Sequence, residues 1–207
     1  MTRRDVMYKI VWFFLFISLT VEAVELGNLY NYKYNNHLEL GKTTVQDAIA
    51  QYGRPHERFD VNSQLYSYVF LRYLSTDLSL FSGQARMSYL EFRENILYAY
   101  ITVSNFDNDS TKFNYAKAKA IKVGDTIDEV INMIGIPSGK GKCPINTGRF
   151  SGFCKKGEFT WMWLYAKTNG MLNSDKLKAK AFLVGVDRDG KVIEIERERI
   201  TILTKGQ

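Results

Sequence analysis

Apolar residues at helical spacing predict a short helix in the second half of the chain. They are Ile127, Val130, Ile131 and Ile134, which recur at intervals of three and four residues and share one helix face. Thr126 precedes this stripe, and Glu129 follows three residues later, as in a capping box at a helix start. Gly135 is suited to end the helix, and Pro137 blocks its continuation.

The same pattern occurs earlier in the chain. Residues 40–55 read LGKTTVQDAIAQYGRP, and residues 123–137 read VGDTIDEVINMIGIP. At one common offset Thr44 matches Thr126, Ala48 matches Val130, Gly53 matches Gly135 and Pro55 matches Pro137. Such self-similarity indicates an internal repeat in which each copy begins with a short helix.

Alternating patterns typical of strands follow each predicted helix. In the first half they cover 65–73, 85–93 and 96–104, and in the second half 158–166, 177–187 and 191–203. The sequence thus predicts an α+β fold of two tandem repeats, each a short helical unit followed by an antiparallel sheet of three or more strands. The repeats span 24–104 and 120–207, and the polar segment 105–119 connects them.

Aromatic residues in these strands alternate with aliphatic ones, so each strand has an aromatic and an aliphatic face. Helices are expected to cover the aliphatic face, which carries Val69 and Leu71 in one half and Met162 and Leu164 in the other. The aromatic face is then a candidate platform for a protein partner, because tyrosine and tryptophan are enriched in binding hot spots. The alternative is that these rings are core. The candidate residues are Tyr66, Tyr68, Tyr98, Tyr100, Trp161, Trp163 and Tyr165.

The N-terminus has the order of a secretory signal peptide. A basic opening with Arg3, Arg4 and Lys9 precedes an apolar run at 10–19, and small residues lead to Ala23. The run is shorter than the roughly 20 residues of a membrane-spanning helix, the rival interpretation. Residues 1–23 are therefore expected to be cleaved, with a periplasmic or secreted mature protein and no later membrane span.

The repeat resembles a known family. Gly124-Asp125-Thr126, a short helix and Gly135-Ile136-Pro137, followed by an aromatic strand and a hairpin, are similar to the SmpA/OmlA/BamE domain. The doubled arrangement also resembles the β-lactamase inhibitor protein (BLIP-like) family. The resemblance implies helices packed on one face of an antiparallel sheet, function by protein–protein contact, and association with the outer membrane.

Two cysteines, Cys143 and Cys154, are expected to form a disulfide in an oxidising compartment. A metal pair is the alternative, but neither histidine lies nearby in sequence. Gly139–Lys142 is interpreted as a flexible basic loop. It follows a predicted helix, whereas a phosphate-binding loop opens one.

Catalytic motifs are missing from the sequence, including His-Glu-x-x-His, Cys-x-x-Cys and Gly-x-Ser-x-Gly. The formal net charge is +6 with the two signs mixed along the chain, which argues against nucleic acid as a partner. The first hypothesis is thus a non-catalytic periplasmic binding or scaffold protein without metal or cofactor. An inhibitor of a secreted or periplasmic enzyme is the second, and an enzyme or small-ligand carrier is the third.

Overall fold

An eight-stranded antiparallel sheet is the framework of the protein in its computed structural model. The structure describes residues 38–62, 66–77, 84–107, 109–145, 152–167 and 176–203, so the predicted signal peptide lies outside the described residues. The strands follow chain order across the sheet. They are β1 (Glu57–Asn62), β2 (Ser67–Asp77), β3 (Gln84–Arg93), β4 (Ile96–Ser104), β5 (Gly139–Lys142), β6 (Phe159–Lys167), β7 (Lys176–Val186) and β8 (Val192–Leu203).

The predicted fold class is wrong. The described chain is mainly β, with two eight-residue helices, α1 (Val45–Tyr52) and α2 (Ile127–Ile134), and a 3₁₀ turn at Lys117–Ala120. The halves do not form separate helix-plus-sheet units, because β5 pairs with β4 on one side and with β6 on the other. One sheet therefore runs through both halves. The domain boundaries at 24–104 and 120–207 stay a prediction.

Both predicted helices are confirmed, with their predicted starts and stops. Thr44 caps α1 by accepting from Asp47 N at 3.1 Å, and the Asp47 carboxylate accepts from Thr44 N at 2.9 Å. Thr126 forms the same reciprocal pair with Glu129 at the start of α2. Gly135 ends α2 at a φ of 100°, which glycine adopts without a Cβ clash. These short helices are thus defined by local side-chain chemistry.

Strand β5 is the element that joins the halves, and its glycines explain how. A Cβ at Gly139 would come within 2.8 Å of Ile101 Cα, and a Cβ at Gly141 within 2.9 Å of Ala99 Cβ. Only residues without a side chain fit so close to β4. The interpretation of Gly139–Lys142 as a flexible loop is therefore wrong.

The strand register assigns side chains to two faces of the sheet. Leu90 lies opposite Tyr100, Tyr100 opposite Lys140, and Lys140 opposite Trp161. Directly opposed residues share a face. Helix α1 packs on Leu90 and α2 packs beside Trp161, so both helices lie on this side, called the helix face below.

The other side, called the loop face, carries the disulfide segment. Phe153 and Cys154 pack there on Met162, Ala181 and Leu183. A Cβ at Gly185 would clash with Cys154 Sγ, so glycine is required beneath the disulfide. This segment covers the part of the loop face formed by β6 and β7.

The predicted connection at 105–119 packs on a polar strip of the helix face. Ser88 and Thr102 hydrogen-bond there at 2.9 Å, and both are buried. Asp109 is fully buried, accepts from Ser104 Oγ at 2.6 Å and forms an ion pair with Arg86. The connection is thus held to the sheet by a buried polar network.

Candidate protein-binding surface

The structure divides the seven candidate aromatic residues between the two faces of the sheet. Arg93 lies opposite Tyr68, and its guanidinium contacts the rings of Tyr66 and Tyr98, so these three tyrosines share the loop face. The other four lie on the helix face: Tyr100, Trp161, Trp163 and Tyr165. The seven residues therefore do not form one platform.

A β-bulge at Tyr98 places Tyr98 and Tyr100 on opposite faces of the sheet. Glu91 pairs with Ala99 but Phe92 pairs with Leu97, so Tyr98 is an extra residue in β4. The bulge interrupts the alternation of side chains, which places Tyr98 on the loop face and Tyr100 on the helix face beside α1. The prediction that these two tyrosines point to the same side is wrong for this reason.

Trp163 belongs to the core beneath α2. Its side chain is 1% exposed, its indole N–H donates to Gly135 O at 2.8 Å, and its ring lies 5.7 Å from that of Phe182. Helices thus cover the aliphatic face of β2, as predicted, but the aromatic face of β6. Trp163 is therefore a core residue, as in the alternative interpretation of the aromatic face.

Trp161 and Tyr165 are only partly buried on the same face. The ammonium of Lys140 lies 4.2 Å from the ring centroids of both Trp161 and Phe159. Burial lowers the pKa of Lys140, and the charge of nearby Glu158 opposes that shift. Contact of this one cation with two rings stabilises the pairing of β5 with β6 in the middle of the sheet.

The loop face of the first half presents an apolar surface that extends onto β1. Phe59 lies opposite Phe70, and Val61 lies opposite Tyr68. Phe59 and Val61 are each 49% exposed, and Tyr66 is 43% exposed. We call this surface the loop-face patch. Its members are Phe59, Val61, Tyr66, Tyr68, Phe70, Arg93 and Tyr98.

Ring contacts hold the loop-face patch in a defined arrangement. Tyr68 stacks on Phe70 with ring centroids 6.2 Å apart and planes 9° from parallel, and Tyr66 meets Tyr68 edge-on at 6.2 Å. The Arg93 guanidinium lies 3.7 Å from the centroid of Tyr98 and 4.7 Å from that of Tyr66. Contact of the Arg93 guanidinium with several rings restrains the conformations of the arginine and of the tyrosines. The patch is therefore preorganised for binding.

Tyr98 connects the loop-face patch to the disulfide segment. Its hydroxyl donates to Pro144 O at 3.0 Å, and the tyrosine is 8% exposed. Burial raises the pKa of Tyr98, and the positive charge of Arg93 opposes that rise. The hydroxyl therefore remains a neutral donor at physiological pH.

Sequence reasoning missed Phe59, Val61 and Arg93. The alternation Arg58-Phe59-Asp60-Val61 is the available signal for a strand with an apolar side, but it lies soon after Pro55 and covers few residues. Arg93 is a strand residue whose role depends on pairing with Tyr68, and pairing is not visible in one strand alone.

The disulfide predicted between Cys143 and Cys154 is confirmed, with Cα atoms 5.4 Å apart. The alternative of a metal pair is thus wrong for these cysteines. Among the described residues no group of three or more His, Cys, Asp or Glu side chains is placed to hold a metal ion. No helix in the described part of the chain combines the length and hydropathy needed to cross a bilayer.

Comparisons with known proteins show a likeness in structure but not in sequence. No protein-family model matches the chain, and no curated protein matches it. A solved structure described as a "putative beta-lactamase inhibitor protein" from Streptococcus mutans is 12% identical, with a TM-score of 0.42. The alignment covers 75% of this chain and 82% of that one. The comparisons do not show the resemblance to the SmpA/OmlA/BamE domain.

Proposed function

We propose that this protein is a non-catalytic protein-binding protein of the cell envelope, and that a protein partner docks on the loop-face patch. The observation that carries the proposal is the exposure of Phe59, Val61 and Tyr66 next to a preorganised cluster of rings around Arg93. The proposed surface keeps Tyr66, Tyr68 and Tyr98 from the sequence prediction. It leaves out Tyr100, Trp161, Trp163 and Tyr165, which lie on the helix face.

The chemistry of the patch is that of a protein interface. Tyrosine and arginine are enriched among hot-spot residues, and they combine apolar area with groups that can hydrogen-bond at the rim. Rings that already contact one another lose little conformational entropy on binding. A partner would therefore gain contact area at small cost.

Location outside the cytoplasm is part of the proposal. The signal peptide predicted at residues 1–23 would direct export, and the disulfide between Cys143 and Cys154 is of a kind that persists in oxidising compartments. The partner would then be a component of the envelope, with association at the outer membrane as the BamE-like resemblance implies. The alternative partner is a secreted or periplasmic enzyme that this protein inhibits, the role in the name of the Streptococcus mutans protein.

Crosslinking in intact cells, followed by identification of the captured protein, tests the proposal. Tyr66→Ala is expected to weaken binding of that partner by about 30-fold, the usual effect of truncating a hot-spot residue. Tyr165→Ala is the matched control, because it removes the same side chain from the helix face of the same sheet. Loss of binding in the control but not in Tyr66→Ala or Phe59→Ala would refute the proposed surface.

The captured partner also decides between the two roles. Recovery with outer-membrane assembly components supports the envelope role. A one-to-one complex with a single enzyme, whose activity falls as the complex forms, supports the inhibitor role. Turnover of a substrate by the purified protein alone would refute both.

A further inference from the structure

We propose that a second copy of this chain pairs with strand β1, edge to edge and antiparallel. In the proposed register Phe59 lies opposite Phe59 of the second copy, about a twofold axis perpendicular to the sheet. The two sheets would join into one, with helix face beside helix face and loop face beside loop face. This inference does not rest on the proposed partner binding.

Strand β1 has the properties of an exposed edge. It is the first strand in the order of the sheet and pairs with β2, and no other strand of the described chain pairs with it. Every β1 residue after Glu57 is exposed. Edge strands carry backbone groups that can pair with another chain unless something covers or blocks them.

The charges of β1 are self-complementary. Arg58 and Asp60 lie two residues apart on the same face, and the Arg58 guanidinium donates to both carboxylate oxygens of Asp60 at 2.9–3.2 Å. In the proposed register Arg58 lies opposite Asp60 of the second copy, and Asp60 lies opposite its Arg58. The twofold axis therefore produces two cross-strand ion pairs, as a self-complementary interface requires.

The apolar side of β1 is self-complementary in the same register. Phe59 is 49% exposed in one copy, and it would pack against the same ring of the second copy. Aromatic cross-strand pairs stabilise antiparallel pairing. Val61 lies opposite Glu57 of the second copy, whose carboxylate is already held by Arg72 in its own chain. The register thus places no uncompensated charge against an apolar side chain.

The opposite interpretation is that Arg58 and Asp60 keep other strands away. Edges that resist pairing carry lysine, proline or inward-pointing charges. Strand β1 lacks lysine and proline, and on its helix face it has one charge of each sign, Arg58 and Asp60, at a spacing of two. Its third charge, Glu57, lies on the loop face and forms an ion pair with Arg72. Since like charges oppose each other only in other registers, the pattern selects one register instead of blocking all of them.

Sedimentation velocity over a concentration series of about 1–200 µM tests the proposal. This range suits a weak dimer, which is expected because pairing through one short edge strand buries little surface. The wild-type protein is expected to shift from monomer to dimer across the series. Arg58→Asp and Asp60→Arg each place like charges opposite one another, so each is expected to weaken dimerisation by about tenfold or more. The double variant R58D/D60R restores opposite charges and is expected to restore dimerisation to near the wild-type constant.

Lys112→Glu is the control, since it reverses an exposed charge away from β1. Circular dichroism of each variant separates loss of dimer from loss of fold. A wild-type protein that stays monomeric throughout the series overturns the proposal, as does a double variant as weak as the single ones. Monomers whose β1 amides resist hydrogen exchange would instead indicate that the chain's own residues 24–37 occupy the edge, which also overturns it.

Discussion

Replacing Trp163 tests whether the aromatic face of β6 is core or binding surface. The side chain is 1% exposed beneath α2, among Val130, Ile134 and Phe182. Truncation of a buried tryptophan to alanine costs about 3–5 kcal/mol, through lost transfer energy and the cavity that remains. Because Gly135 is exposed, water can replace the lost indole donor at its carbonyl, so the hydrogen bond adds only about 1 kcal/mol or less.

The expected total for Trp163→Ala is therefore about 4 kcal/mol, which corresponds to roughly 8–16 °C in Tm for a chain of this size. Trp161→Ala is the matched control, two residues along the same strand and face but only partly buried. It is expected to cost about half as much or less. Trp163→Ala should leave binding at the loop-face patch unchanged wherever the variant remains folded.

Urea denaturation followed by far-UV circular dichroism measures both variants, since the mutations alter the tryptophan fluorescence itself. An unchanged slope with a lower midpoint indicates a change in stability alone. A Trp163→Ala protein within about 1 kcal/mol of the wild type would refute the assignment of this residue to the core. Equal losses in Trp163→Ala and Trp161→Ala would show that burial on this face does not follow the structure.

Four further outcomes are expected. Cys143→Ala removes the disulfide and is expected to cost about 2–3 kcal/mol, and a thiol assay on the denatured, unreduced wild type should find no free thiol. Gly139→Ala is expected to lower the free energy of unfolding by more than about 1 kcal/mol in urea denaturation, because the added Cβ would overlap with the backbone of β4. Glu129 has a pKa held below its usual value by hydrogen bonds from the N-cap threonine of α2, so its stabilisation is complete above the unfolded pKa and is lost as pH falls through the folded one. The Tm difference between wild type and Glu129→Gln should accordingly be present at neutral pH and vanish in acid. Asp109→Ala is expected to cost about 3–5 kcal/mol, since it leaves the Arg86 charge buried, whereas replacing both by apolar residues should cost less.

The helices could be predicted because their limits are local. A threonine and a carboxylate three residues apart make the capping box, and a glycine followed by a proline ends each helix within the same short segment. Strands in hairpins were predicted to within a few residues for the same reason, and β4 has the predicted bounds. The fold class could not be predicted in the same way, because a repeated helix does not determine whether each copy has its own sheet or both share one.

Strands β1 and β5 could not be predicted from their own residues. Lys and Gly alternate in β5, and neither favours a strand. Its conformation depends on Ala99 and Ile101 of β4, which leave room only for glycine. Strand β1 carries charges that are typical of a loop, and pairing with β2 is what makes it a strand.

The phase of the aromatic residues explains why the candidate surface was only partly predicted. Alternation shows which residues of one strand share a face, but the face that a helix covers depends on the register between strands. In β2 the aliphatic residue Leu71 lies on the helix face, whereas in β6 the aromatic residue Trp163 lies there. The same alternation therefore places aromatic residues on opposite faces in the two strands. The bulge at Tyr98 then changes the phase within β4 itself.

Once both helices and the connection lie on one face, the disulfide segment covers part of the other. Among the side chains that the structure describes, the large apolar ones exposed on the loop face are Phe59, Val61 and Tyr66, at β1 and just before β2. Exposure of these three side chains thus follows from the arrangement of the whole sheet, which no single strand pattern encodes.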